Sequence, residues 1–240
     1  MDESKRETLL TLGPGRSDLY LFLASAFVEP PSDELLRRIG EDAFLVPLAS
    51  IFREETVRKL RELGEAGSIG ALKERLDREF TSLFRCSGER YVAPFESAYR
   101  DLEEPGCHTD ATSPMGRCAG EVQAWYDFAS VELSSEFADS PDHIALELNY
   151  LALLCANEEA LANAAPARLT RVWEMERDFL AGHVVRWVGS LRDRIYENTE
   201  HPYVTALGDM AVEFTARDLA TLEDALGASL QLSVPQYKDT

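Results

Sequence analysis

The chain has 240 residues, 45% of them hydrophobic, and a formal net charge of −19 at pH 7. This length and apolar share suffice for a sizeable core in one or two domains. So acidic a chain would repel nucleic acid and anionic membranes and would attract cationic partners. The charge is uneven, because the interval between Arg117 and Arg168 contains nine acidic residues and no Lys or Arg. On charge alone, the alternative that acidity serves only solubility stays open.

Helical periodicity recurs through the first third of the chain. It predicts helices over residues 16–28, 33–39, 44–51, 54–63 and 71–84. The glycines between residues 64 and 70 favour a turn between two helices, because no strand precedes them and no Gly-Lys-Ser/Thr follows. Residues 85–114 break the pattern, and a loop of that length in a compact domain is usually functional or disordered. Its aromatic residues Tyr91, Phe95 and Tyr99 favour partial packing.

The second half contains the most apolar helix, predicted over residues 140–154. Ser140 is a suitable N-cap, and Pro141 suits the first helical position. The helix is apolar on every side, which is typical of the inside of a bundle, although its first turn contains Asp142 and His143. The other predicted helices in this half cover residues 115–131, 167–195 with a candidate break at Gly182, and 202–226.

These patterns predict the fold class. Period-two alternation, the mark of half-buried strands, is absent from the sequence, and no internal repeat is evident. We therefore predict an all-α fold, a compact bundle of roughly nine or ten helices. A single domain is expected over residues 1–240, with its core at about 15–227 and frayed ends.

Targeting signals and cysteines indicate the compartment. The N-terminus lacks the basic and then apolar pattern of a signal peptide, and no apolar run approaches the roughly 20 residues of a membrane span. We therefore expect a cytoplasmic protein, in which Cys86, Cys107, Cys118 and Cys155 are free thiols. Cys107, His108 and Cys118 could supply three metal ligands, but the paired spacing of a structural zinc site is missing. No metal site is predicted.

The sequence contains none of the common catalytic motifs that were sought. HExxH, GxSxG, GxGxxG and Walker A patterns do not occur in the sequence. The candidate catalytic groups are Asp142, His143 and Glu147, and the last two are four residues apart and could pair on one helical face. The sequence places no obvious serine or cysteine in a strained turn, where the nucleophile of a catalytic triad would be expected. We predict that the protein is not an enzyme. A helical metal-dependent enzyme and a generic regulatory bundle stay as alternatives.

Three segments carry a family resemblance. They are YVAPFESAY at residues 91–99, PDHIALEL at 141–148 and FLAGHVVRW at 179–187. In this order they resemble the Pro-Tyr-Glu-Ser-Val-Tyr, Pro-Asp-His-(Ile/Leu)-x-x-Glu-Leu and Phe-Leu-x-x-His-Leu-x-x-Trp patterns of the TorD/DmsD/NarJ family of molybdoenzyme maturation chaperones. The likeness covers about residues 15–215. Phe95 stands where the family usually has tyrosine.

The resemblance implies a function and partners. Such chaperones are cytoplasmic, bind the twin-arginine signal peptide and apo form of a molybdopterin oxidoreductase, and retain it for cofactor insertion before export. The implied partner is therefore the catalytic subunit with its leader, without nucleic acid or stable membrane insertion. A monomer or a homodimer, including a domain-swapped one, fits the family. No cofactor is implied beyond weak guanine nucleotide binding.

The resemblance also implies a binding site. The family's Asp-His pair is implicated in leader binding and matches Asp142 and His143. A twin-arginine leader presents two guanidiniums and then an apolar, helix-prone segment, so a receptor needs carboxylates and apolar walls. Glu96, Asp142 and Glu147 can supply charge, and the aromatic residues of 91–99 can supply walls. The predicted signal-peptide-binding set is Tyr91, Pro94, Phe95, Glu96, Ser97, Tyr99, Asp142, His143 and Glu147, with His183 and Trp187 as secondary candidates.

Overall fold

The computed structural model describes residues 2–64, 67–103, 116–132 and 140–227. The α-helices in chain order are α1 (Glu3–Val28), α2 (Asp33–Arg38), α3 (Asp42–Ala49), α4 (Glu54–Gly64), α5 (Ile69–Phe80), α6 (Ser97–Glu103), α7 (Arg117–Phe128), α8 (Ile144–Ala156), α9 (Glu158–Ala164), α10 (Pro166–Phe179), α11 (Val185–Asn198) and α12 (Pro202–Leu226). A π-helical turn, Thr81–Arg85, follows α5, and a second, Leu180–Val184, joins α10 to α11.

Helix is the regular secondary structure of the described part of the chain, apart from an isolated antiparallel bridge between Phe95 and His143. The twelve helical segments described form ten runs, because α10 continues into α11, and Asn157, which joins α8 to α9, has a right-handed helical conformation whereas Ala165 between α9 and α10 does not. The predicted all-α fold class is therefore confirmed. None of the described helices is long and apolar enough to cross a membrane.

Contacts within the chain group the residues into two compact units. The first comprises Met1–Ala24, Phe95–Trp187 and Thr215–Thr240, and the second comprises Ser25–Pro94 and Val188–Phe214. Each unit has its own buried apolar residues. The single domain expected over residues 1–240 stays a prediction.

The first unit is built around α8. Its buried residues cover most of the helix surface, but a narrow strip that includes Leu153 is exposed, so the burial predicted on every side is wrong there. The ring of Tyr150 packs against Phe179 of α10, with centroids 4.8 Å apart, and against Tyr126 of α7 at 5.1 Å. Trp125, also on α7, packs edge-on against Phe179 at 5.8 Å. Large buried rings in such contacts contribute most of the apolar area of a core.

The second unit buries the apolar stripes of short amphipathic helices. On α4 the stripe includes Val57, Leu60 and Leu63, and α5 has a similar stripe. The ends of α2 and α4 meet backbone to backbone, because a Cβ added at Gly64 would lie 2.4 Å from the Cα of Gly40. Only glycine permits an approach this close.

The start of α8 differs from its prediction. Ser140 was expected as the N-cap, but the helix begins at Ile144, and its N-cap is His143, whose Nδ1 accepts the Ala145 N–H at 3.1 Å. Residues 140–143 instead form a turn, in which the His143 N–H donates to the Ser140 carbonyl at 3.0 Å. The reason is that Asp142 has a partner far away in the sequence, as described below.

Other predicted boundaries have mixed outcomes. The last helix begins at Pro202 and ends at Leu226, as predicted. The irregular stretch predicted over 85–114 is wrong at Ser97–Glu103, which is α6. Cys107, His108, the acidic link predicted at 133–139 and the frayed end predicted at 230–240 lie outside the described residues.

Candidate functional site

The parts of the three motif segments that belong to the first unit meet in one buried place. The residue before α6, the turn before α8, the first turn of α8 and the π-helical turn before α11 contribute five polar side chains, which we call the motif cluster: Glu96, Asp142, His143, Glu147 and His183. All five are buried, and Glu96, Asp142 and Glu147 have 0% of their surface exposed. Buried carboxylates are rare unless they are paired, so each needs a physical account.

Asp142 fixes the start of α6. Its backbone carbonyl accepts the Glu96 N–H at 3.0 Å, and its Oδ2 accepts the Ser97 N–H at 2.8 Å. The first N–H groups of a helix have no partner within the helix, and a carboxylate oxygen satisfies one of them. Asp142 therefore caps a helix that begins 45 residues earlier in the chain. The bridge between Phe95 and His143, whose rings are 5.2 Å apart, extends this junction.

This junction makes a stability prediction. Asp142→Ala should lower the free energy of unfolding by about 1–2 kcal/mol, because the Ser97 N–H loses its acceptor. Asp142→Asn keeps an oxygen for that N–H and should retain most of the stability. Urea unfolding of both variants, followed by circular dichroism, measures the difference. Equal midpoints for the alanine variant and the wild type would show that the cap contributes nothing.

Glu96 is paired inside the protein. Its Oε1 accepts a close hydrogen bond from Arg100, four residues on along the chain, and its Oε2 lies 2.9 Å from Nδ1 of His183. Arg100 also donates to the carbonyl of Gly182 at 3.0 Å. Gly182 and His183 belong to the π-helical turn, so the break predicted near Gly182 is a wider helical turn. Hydrogen bonds from Arg100 and to Glu96 connect this turn to the start of α6. Such turns occur frequently at functional sites.

Glu147 has a different partner from the one that its spacing from His143 allows. Trp187 Nε1 donates to its Oε2 at 3.0 Å, and the ring of Tyr99 stacks on Trp187 with centroids 5.5 Å apart. The pairing of Glu147 with His143 that their spacing allows does not form, because the His143 ring caps α8 and the Glu147 carboxylate is directed to Trp187. One oxygen of each of two carboxylates, Glu147 Oε1 and Asp142 Oδ1, finds no hydrogen-bond partner among the described residues.

The electrostatics of the motif cluster are unbalanced. Burial, and after it the negative charge of Glu96, raises the pKa of the Glu147 carboxyl well above its ordinary value. Asp142 adds to this rise in pKa, while the hydrogen bond from Trp187 and the charge of Arg100 oppose it. Three carboxylates therefore lie in one buried region, where the described ion pair of Arg100 is with Glu96. An additional cation would relieve the repulsion among them.

The structure brings together most of the predicted set. Phe95, Glu96, Ser97, Tyr99, Asp142, His143, Glu147, His183 and Trp187 all belong to the first unit. Tyr91 and Pro94 belong to the second, where the Tyr91 N–H donates to the Gly88 carbonyl at 3.1 Å. Sequence reasoning missed Arg100, although its position four residues after Glu96 is the ordinary spacing of a helical ion pair. Because the three carboxylates are fully buried, a partner's guanidinium can reach them only if a covering element moves.

The fold and the motif cluster define a class of protein. Its members are all-helical, and a buried network of carboxylates and histidines joins their three motif segments. The chain belongs to the nitrate reductase delta subunit family, whose model matches residues 45–193. That match covers more than half of the chain. It confirms the resemblance inferred from the three segments.

Curated relatives agree with this assignment. The chain is similar to the chaperone protein TorD of Vibrio cholerae, with 22% identity over 227 residues, 92% of this chain and 97% of that protein. It is similar at 27% identity to the chlorate reductase assembly chaperone protein of Ideonella dechloratans and to the selenate reductase assembly chaperone protein of Thauera selenatis. Each of these two alignments covers 71% of this chain and 85% of the relative. All three relatives are chaperones by name.

Proposed function

We propose that this protein is a cytoplasmic chaperone for the catalytic subunit of a molybdopterin oxidoreductase. It binds the twin-arginine leader and the apo form of that subunit and retains it for cofactor insertion before export. Membership of the family supports the proposal, as do relatives named for the assembly of chlorate and selenate reductases. In this proposal the protein is not an enzyme, and the motif cluster serves binding.

One observation carries the proposal. The motif segments converge on carboxylates whose charge exceeds that of their partner Arg100, and two oxygen atoms, Asp142 Oδ1 and Glu147 Oε1, are buried without a hydrogen-bond partner in the described part of the chain. A buried acceptor without a donor destabilises a fold by about 1–3 kcal/mol. A guanidinium offers five N–H donors and one positive charge, and it binds carboxylates through paired hydrogen bonds. The leader's adjacent arginines would supply both the missing hydrogen-bond donors and the missing positive charge.

The apolar requirement of a leader is met beside these carboxylates. Phe95 and Tyr99 are partly exposed, and their rings contact His143 and Trp187, respectively. Each therefore connects the surface to the motif cluster. An apolar helical segment that follows the arginines can pack on such rings. Leader binding in this arrangement requires α6 to shift, because α6 begins at the residues that cover Asp142.

The test is calorimetric titration of the full-length protein with a synthetic peptide that has two adjacent arginines followed by an apolar, helix-prone segment. We expect Asp142→Asn to bind this peptide at least about tenfold more weakly, a loss of about 1.4 kcal/mol, because the variant keeps the α6 cap and loses the charge. The Asp142→Ala/His143→Ala double variant should bind more weakly still. Asp127→Asn, at an exposed carboxylate on α7, is the matched control and should bind like the wild type.

The same titration includes a peptide with lysines in place of the two arginines. A lysine lacks the planar fork that binds a carboxylate through two hydrogen bonds, so this peptide should bind less tightly. Unchanged affinity in the Asp142 variants would contradict the site. Failure of the tagged protein to co-purify with a large oxidoreductase subunit would favour a generic regulatory bundle instead. Weak guanine nucleotide binding and a homodimer, domain-swapped or not, stay as predictions from the resemblance.

A further inference from the structure

A second buried cluster lies in the first unit, separate from the motif cluster. We call it the Arg16 cluster, defined by Arg16, Glu158, Glu176 and Asp218. Arg16 of α1 donates to both oxygens of Asp218 at 2.6 and 3.0 Å and to Oε1 of Glu158 at 2.7 Å. It also makes a close hydrogen bond to Oε2 of Glu176. All four side chains are at most 5% exposed. No short sequence motif marks this cluster.

The Arg16 cluster has more carboxylates than its cation can satisfy. Three carboxylates surround one guanidinium, which leaves two negative charges when all the carboxylates are ionised. Arg16 occupies one oxygen of Glu158 and one of Glu176. The other oxygens, Glu158 Oε2 and Glu176 Oε1, are buried and make no hydrogen bond of normal geometry among the described residues, although Trp173 and Glu176 lie close enough to Glu158 to oppose the rise that burial causes in its pKa. Buried charge of this kind needs a counter-charge.

The thiol of Cys155 completes a possible ligand set. Cys155, near the end of α8, is 2% exposed, and its sulfur and a carboxylate oxygen from each of Glu158 and Glu176 all lie within 4.8 Å of one another. Zinc bonds to thiolate sulfur at about 2.3 Å and to carboxylate oxygen at about 2.0–2.2 Å in a tetrahedral arrangement, so its ligand atoms are about 3.4–3.6 Å apart. The three side chains would therefore have to approach one another by up to about 1 Å to bind one ion.

Gly13 leaves room at one of these oxygens. A Cβ added at this position of α1 would lie 2.6 Å from Glu158 Oε2, which makes no hydrogen bond of normal geometry among the described residues. A glycine inside a helix is destabilising relative to alanine by roughly 0.5–1 kcal/mol, so its presence in α1 needs a compensating reason. Space beside a ligand atom is such a reason.

We propose that Cys155, Glu158 and Glu176 bind a divalent metal ion of borderline softness, with Zn²⁺ the best match to one sulfur and two oxygens. Arg16 then orients two ligand carboxylates by holding their second oxygens, which is the usual role of groups around a metal's own ligands. With Cys155 bound as a thiolate, the cluster has four negative charges against the one positive charge of Arg16, and the ion reduces this excess from three to one. Because every ligand is buried, the ion is structural, and it connects α8, α9 and α10 within the first unit.

The test uses the full-length protein, stripped with a chelator and titrated with Co²⁺. We expect about one ion per chain and a thiolate-to-cobalt charge-transfer absorption, because one thiolate is among the ligands. Zn²⁺ should displace the cobalt and raise the melting temperature of the stripped protein. Leader-peptide affinity is not part of this test, so its outcome is independent of the proposed function.

Three variants locate the ion. Cys155→Ser leaves the hydrogen bonds of Arg16 in place and should abolish the charge-transfer absorption. Gly13→Ala keeps all three ligands, places a methyl group against Glu158 Oε2 and should weaken metal binding at least about tenfold. Cys107→Ser, a cysteine outside the ligand set, should bind like the wild type.

Two results would overturn the proposal. One is a charge-transfer absorption that survives in Cys155→Ser and disappears in Cys107→Ser, because the ion would then belong to another cysteine. The other is a melting temperature that neither Zn²⁺ nor a chelator changes, together with less than about one tenth of an ion per chain. In that case protons, and not a metal, neutralise Glu158 and Glu176.

Discussion

Arg16→Met should lower the free energy of unfolding by about 3–5 kcal/mol, because it removes the guanidinium that pairs with three buried carboxylates. Methionine preserves much of the side-chain length, so the loss reports the charge and its hydrogen bonds. Urea unfolding followed by tryptophan fluorescence measures it, and an unchanged m-value would show that the two states are otherwise alike. Against a total stability of about 5–15 kcal/mol, the effect is large.

An exposed ion pair is the matched control. Arg78 contacts Glu74 one helical turn away on α5, and the two side chains are 68% and 70% exposed. Arg78→Met should change the free energy of unfolding by less than about 1 kcal/mol, because solvent screens such pairs. Arg16→Lys should fall between the two methionine variants, since a lysine keeps the charge but cannot donate to three carboxylates in the guanidinium's geometry. If Arg16→Met were as mild as Arg78→Met, the Arg16 cluster would have no structural importance.

Glu147→Gln should separate stability from function. Because the folded-state pKa of Glu147 is raised well above the ordinary glutamate value of 4.5, its contribution to stability is fully present below that value. The contribution is lost as the pH rises through the folded-state pKa. Glutamine has no charge to bury, and its oxygen can still accept the hydrogen bond from Trp187 Nε1. The variant should therefore be more stable than the wild type at pH 8, and the difference should shrink as the pH approaches 4.5.

The same variant should bind the leader peptide at least about tenfold more weakly, if the carboxylate receives a guanidinium as proposed. A gain in stability together with a loss of affinity is the signature of a strained binding group. Thermal unfolding across pH 4–8 and calorimetry at pH 7 provide the two readouts. Glu159→Gln, an exposed acid on α9, should change neither. Higher stability with unchanged affinity would assign Glu147 a structural role only.

The fold class was accessible from the sequence because its signals are local. The spacing of apolar residues gave most helices, and the pair His201-Pro202 gave the start of α12 correctly. Local signals failed where a distant partner decided the outcome. Ser140-Pro141-Asp142 has the composition of a helix start, but Asp142 binds the backbone of Ser97, and the helix begins at Ile144.

The candidate sites show the same division. The motif cluster was identified because its residues lie in three short segments, although their mutual contacts could not be read from any of them. The Arg16 cluster joins residues up to 202 positions apart, so it has no local pattern. One signal was available in α1, because Leu9, Arg16 and Leu23 recur at intervals of seven and share a buried helical face. A charged residue in such a stripe needs buried partners.

The π-helical turn at Leu180–Val184 has a consequence for insertions and deletions. A residue advances an α-helix by about 100°, so the removal of one residue from this turn would rotate everything after it by about that angle. Trp187 would then turn away from Glu147 and Tyr99, and the carbonyl that Arg100 binds would be lost. We therefore expect functional relatives to keep the number of residues between the counterparts of Phe179 and Trp187, even where the residues themselves differ.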